Sequence, residues 1–278
     1  MTHPEGGGNL RVGRAEIERM AAAAAVIAEC RQALAARRRS ILGEITADAG
    51  PITEWRHYPD GEIYDPRNSA QFFYHTHPAT GRPPREHGHF HTFLRAEGMP
   101  AGLAPLVLPE LAVADATPPP PQAAPLKRGS KDEFSHLVAI ALDPRGEPIR
   151  LFTTNRWVTG ETWYRADDVI RMLDRFTVAE PDPPALVNRW MAAMIRLFRP
   201  QIAALLWARD ETVMAWRRRR RRNVFEDPRL EITSTLDIDF EAQLAFLDRA
   251  RSEAAASVPP RMPGLPPMAE GWGEGHAG

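Results

Sequence analysis

The sequence predicts an α+β protein, an antiparallel sheet of about four or five strands packed with helices, on three observations. Two short blocks at 71–77 and 87–95 alternate in residue type and flank a Gly- and Pro-rich turn, the signature of paired strands. An apolar run, FSHLVAIAL, is followed by the turn sequence DPRGEP and a second short apolar run. Segments with apolar residues at helical spacing precede these strands and dominate after them, which places helices against an antiparallel sheet.

Residues 1–13 are Gly-rich and polar and are expected to be a disordered tail. A long N-terminal helix is predicted over 14–45, where Ile17, Met20, Ala24, Ile27 and Ala28 recur on one face. Cys30 lies inside it without a neighbouring histidine, and reads as a buried, inert thiol. Residues 51–66 carry two turn signals and read as irregular. Strands follow at 71–77 and 87–95, joined by the turn-rich loop 78–86. A short helix is expected near the end of 96–112, and a Pro-rich loop at 113–131, with Pro118 to Pro121 consecutive.

The next strands are placed at 134–142 and 149–154. The first is apolar on both faces and reads as central. After a loop holding Trp157, Gly160 and Trp163, helices are predicted at 166–176, 185–198 and 201–219. Pro184 suits a helix start, and Pro200 opens or kinks the helix beside it. A fifth strand at 230–236 and a final helix from the Asp239 cap to 251 complete a single domain over 14–253. Residues 254–278 are Pro- and Gly-rich and are expected to be a second disordered tail.

Composition narrows the function classes. A formal net charge of −1 offers no global attraction to nucleic acid or to a membrane surface. No 18-residue apolar run suggests a membrane span. The N-terminus lacks the apolar core of a secretory leader, and a single cysteine suits the cytoplasm. Of 35 basic residues 33 are arginine, a bias that fits a GC-rich, bacterial coding sequence. The run Arg217–Arg222 is therefore read as a solvated helix end or an internal ionic contact, and nucleic acid is not expected as a partner.

The chemistry is expected in residues 72–95, which hold five of the nine histidines: His75, His77, His87, His89 and His91. Alternate residues of a strand share a face. A symmetric hairpin would set His77 opposite His87, His75 opposite His89, and Phe73 opposite His91, with cross-strand Cβ atoms about 5 Å apart. Neutral imidazole is a good ligand for Zn and Fe, so these five are the candidate metal ligands and a divalent metal (Zn or Fe) the expected cofactor. Glu86 adjoins them and can supply a carboxylate; Glu62 and Asp65 lie upstream. His136 is placed outside the cluster, nearer Phe93 than His77, and His57 lies in a loop that could reach any position and is given no role. The polar loop 155–161 is read as tying down a sheet edge.

Short motifs in these blocks partly resemble known sites. His75-Thr76-His77-Pro78 resembles the core of JAMM-type metallo-isopeptidases, but Glu86 and His89 stand where that family needs Ser and Asp. A cupin metal site lacks its Glu here. His87-Gly88-His89-Phe90-His91-Thr92-Phe93 resembles the motif of histidine-triad nucleotide hydrolases and transferases, which implies His89 as the nucleophile. On a wider scale the blocks FFYHTHP, REHGHFHTFLR, HLVAIALD, LFTTNRWVTGETWY and VNRWMAAMIRLFRPQI resemble an uncharacterised bacterial family over about 40–250, with no activity to carry over.

The expectation that follows is a divalent-metal protein, acting as a metal-dependent hydrolase or oxygenase on a small-molecule substrate. His89 and Glu86 are its candidate catalytic residues. Histidine-triad chemistry at His89 is the second reading, and a non-enzymatic interaction or structural role the third.

Overall fold

The computed structural model describes residues 12–46, 50–108, 122–123, 133–179, 184–220 and 223–256. Its first element, α1 (Arg14–Ala36), buries Ile17, Met20, Ala24 and Ile27 as their spacing requires, with Cys30 and Leu34 on the same side, whereas Ala28, expected on that face, is exposed. It is shorter than expected. The helix ends after Ala36, and Arg38 takes a left-handed φ of 56°. A second helix, α2 (Ile41–Ile45), then starts from Ser40, whose hydroxyl accepts the Gly43 N–H at 3.1 Å.

The strands follow as β1 (Tyr58–Asp65), β2 (Ala70–His75), β3 (Gly88–Arg95), β4 (Leu106–Val107), β5 (Gln122–Ala123), β6 (Phe134–Leu142) and β7 (Pro148–Thr154). Next come α3 (Arg156–Thr159), α4 (Ala166–Leu173), α5 (Ala185–Leu197) and α6 (Arg199–Arg220). Strand β8 (Ile232–Asp237) and helix α7 (Phe240–Ala256) close the described chain. The main sheet is six-stranded and antiparallel, in the order β1-β2-β3-β6-β7-β8, and β4 pairs with β5 in a separate two-stranded ribbon.

One strand was not expected. Residues 58–65 read as irregular because Pro59, Asp60 and Gly61 are turn residues. They are tolerated because β1 is an edge strand. Its pairing with β2 shifts between Tyr58 and Ile63, and Gly61 and Glu62 take positive φ values of 80° and 61° within that irregularity. Of the stretch 96–112, where a short helix was expected near the end, residues 109–112 lie outside the described residues, and the described part holds a 3-10 turn at Ala96–Gly98 and β4. The expected tails, apart from residues 12–13 and 254–256, and most of the Pro-rich loop lie outside the described residues.

The sheet has two unlike faces. One carries Phe72, Tyr74, Phe90, Val138, Ile140, Leu142 and Leu151, and packs with residues of α1, α4, α5 and α6 in the main core. Fully burying each of these side chains contributes roughly 1.5–3 kcal/mol. Trp190 of α5 meets Phe90 with ring centroids 5.9 Å apart. The opposite face carries Phe73, His75, His89 and His91, beside a small apolar group of Ala139, Ala141 and Phe152. Among the described residues no helix is long and apolar enough to cross a membrane.

Candidate metal centre

The β2–β3 register pairs His75 with His89 and Phe73 with His91, as the symmetric hairpin requires. On the other side of β3, His89 pairs with Ala141 and His91 with Ala139 of β6. Those two small residues leave the space that the imidazoles fill. The Nε2 atoms of His75 and His89 lie 2.8 Å apart. His75, His89 and His91 are all buried, and each offers a ring nitrogen within 4.8 Å of the others, so this triad could hold a metal ion.

The outer nitrogens of two members are held in place. Glu86 Oε1 lies 2.7 Å from His89 Nδ1, and Arg150 of β7 forms an ion pair with the same carboxylate. Burial acts to raise the Glu86 pKa, but the His89 hydrogen bond and the charges of His89 and Arg150 bring it below its ordinary value. An ionised Glu86 can accept from His89 Nδ1–H, and His89 Nε2 faces His75. His91 Nδ1 is 3.0 Å from His136 Nε2.

That last contact corrects the placement of His136 outside the cluster. His136 does pair with Phe93, at the far end of the hairpin from the 78–86 loop. The β3–β6 ladder, however, shifts by one residue between Thr92 and Phe93. The shift leaves Leu137 unpaired and turns His136, instead of Leu137, to the histidine face. His57 also approaches this face. Its ring stacks on Phe73 at 3.7 Å between centroids, and its Nδ1 meets Glu62 Oε1 at 2.7 Å.

The two remaining candidates separate. His77 lies beyond the end of β2, half-buried, with its ring 4.8 Å from that of His75 and 5.0 Å from that of His89. His87 stands apart from the triad. Its Nδ1 meets the Tyr74 hydroxyl at 2.7 Å, and Tyr74 belongs to the helix-packed face. The β2–β3 ladder ends at His75–His89, so the expected His77–His87 pair is not part of it. The backbone N–H of His87 donates instead to the Leu142 carbonyl at 2.8 Å.

Electrostatics keep His75 and His91 neutral. Burial, reinforced by the neighbouring rings, lowers His75 to about 2 and holds His91 well below its ordinary value. Burial and the Arg209 charge lower His136 to about 3. Metal binding requires unprotonated imidazole, and a fold that buries these rings supplies it. A cavity of about 50 Å³ adjoins His89 and His91. Larger clefts of about 360 and 700 Å³ lie on the helical side and share no lining residue with it.

Other polar residues have structural partners. Asn155 caps α3 and donates to the Val224 carbonyl, and Trp157 Nε1 donates to the Leu230 carbonyl at 2.8 Å. Sequence reasoning missed two site-supporting residues, Arg150 and Glu161. Glu161 is buried, accepts the His136 backbone N–H at 2.8 Å, and is pushed up to about 7 by burial despite Arg209. Neither residue lies near the histidine blocks in sequence, so no spacing signal could have found them.

Residues 21–238 match the model of a family described as a domain of unknown function (DUF6969). No curated protein matches the chain, and no solved structure does.

Proposed function

The chain belongs to the DUF6969 family, and from its histidine face we propose that it binds one divalent transition metal ion, zinc or iron, through His75, His89 and His91. One observation carries this reading: three buried ring nitrogens converge within 4.8 Å. The chemistry of the donor set agrees. Metal–nitrogen bonds of about 2.0–2.1 Å place neighbouring ligand nitrogens roughly 3 Å apart, and His75 and His89 already stand 2.8 Å apart. The Glu86–His89 contact is the carboxylate support that ligating histidines typically have. His136 gives His91 the equivalent hold.

An ion at this position, when bound, polarises a substrate oxygen or lowers the pKa of a bound water. The protein's own residues then have distinct tasks. Glu86, fixed by Arg150, positions His89. His77, beside the triad with its Nε2 lacking a hydrogen-bond partner among the described residues, is placed to accept or donate a proton. These roles suit a metal-dependent hydrolase or oxygenase acting on a small molecule.

Elemental analysis of protein purified without a histidine tag tests the reading. The expected result is about one ion per chain in the wild type, and loss of most of it in His75→Ala and His89→Ala. Less than about 0.1 ion per chain, with no uptake on adding zinc or iron, would overturn it. A phosphohistidine trapped at His89 from a nucleotide would instead establish histidine-triad chemistry.

A further inference from the structure

Three buried polar atoms without a hydrogen-bond partner among the described residues belong to residues that line one cavity. They are His77 Nε2, Arg82 Nε and Thr154 Oγ1, and the cavity is the 50 Å³ space beside His89 and His91. Thr154 is only 2% exposed. Leaving a buried polar group unsatisfied costs about 1–3 kcal/mol, so three around one space point to a ligand that satisfies them. Arg82 anchors itself through another guanidinium nitrogen, which donates to the His87 carbonyl. Its Nε–H has no partner among the described residues.

The donor chemistry selects the ligand. Arg82 Nε–H can only donate, whereas the Thr154 hydroxyl and His77 Nε2 can each do either. The ligand must therefore present at least one acceptor atom, which a carboxylate oxygen supplies. Charge points the same way. Arg82 and Arg150 line the cavity, opposed by Glu86 and Glu231, and these four cancel. The divalent ion proposed above adds two positive charges. Size sets the upper bound. Roughly 10–15 Å³ of such space holds one water, so 50 Å³ takes on the order of three to five non-hydrogen atoms.

We propose that this cavity is the binding site for a small oxyanion of the carboxylate class, held by Arg82, Thr154 and His77 next to the metal position. The charge argument rests on the metal reading; the three unpartnered atoms do not. The site would receive either a small substrate or the carboxylate end of a larger one.

Calorimetric titration of the full-length protein with formate and acetate, with metal content measured on the same samples, tests this. Saturable binding of formate is expected in the wild type. Thr154→Val, which keeps the shape and removes the hydroxyl, should weaken it about tenfold with metal content unchanged. Arg82→Lys, which keeps the charge and removes the Nε donor, should do the same. Binding that is equal in both variants and the wild type would overturn the proposal, as would no binding of either anion. If the wild type holds no metal, the metal reading fails by itself. Formate titration of that protein still decides the cavity: a Thr154-dependent affinity supports it, and no binding sinks it.

Discussion

His89 shows how one residue's surroundings decide its role. Both its ring nitrogens are engaged, Nδ1 by Glu86 and Nε2 by His75. The Glu86 carboxylate is itself held by Arg150. Replacing Glu86 by Gln removes the charge while keeping the shape, and leaves Arg150 without its counter-ion. Metal affinity is expected to fall about 10–100-fold in Glu86→Gln, measured by competition with a chromophoric chelator. An affinity equal to the wild type would mean that Glu86 only packs there. At this scale the sequence was informative for His75, His89 and Glu86, because period-two spacing and adjacency are local facts. It was silent on Arg150, which reaches Glu86 from a strand that starts over 50 residues later, and it misjudged His87, whose ring turns to Tyr74.

The β2–β3 hairpin is the element that assembles the site, and Gly88 sets its tight end. A Cβ added at Gly88 would overlap the His75 carbonyl oxygen and the Tyr74 ring. The carbonyl is backbone and cannot swing aside. Gly88→Ala is therefore expected to destabilise the fold by about 1–3 kcal/mol and to lower metal occupancy by shifting β3 against β2. Urea unfolding together with elemental analysis checks both effects, and a variant with wild-type stability and occupancy would contradict the close approach. The hairpin register was legible because residue type alternates on both strands. The one-residue shift at Leu137 was not, since a bulge depends on how two strands distant in sequence meet. Strand β1 was hidden for a related reason: only its edge position makes Pro59 and Gly61 acceptable in a strand.

Across the whole molecule, one sheet separates a helix-packed apolar face from a face of buried imidazoles, and this division has a pH signature. Burial lowers His75 to about 2 and His136 to about 3, and holds His91 well below 6.5. In the unfolded chain each titrates near 6.5. Between those values the unfolded chain binds protons that the fold does not, so stability rises with pH up to about 6.5 and is lost as pH falls. Glu161 works the other way. Burial pushes its carboxyl from 4.5 up to about 7, so in that window it ionises on unfolding and loses stability as pH rises. Three histidines outweigh one carboxyl. Metal-free protein is expected to lose stability from pH 6.5 down to 4.5, on the order of 1–3 kcal/mol per pH unit. Chemical denaturation across that range measures it, and a flat or inverted profile would show that the imidazoles are not buried as described.

By itself the sequence determined the α+β class, most of the strands and helices, the facing of His75 and His89, and the block that holds the three converging histidines. Those features rest on periodicity and turn residues, which are properties of neighbours along the chain. Only the tertiary structure decided which histidines share a site, that His136 supports His91, that Arg150 holds Glu86, and that Arg82, Thr154 and His77 surround one cavity. Each of these is a contact between elements far apart in sequence, where ring direction, a bulge and burial set the outcome, and no local pattern encodes them.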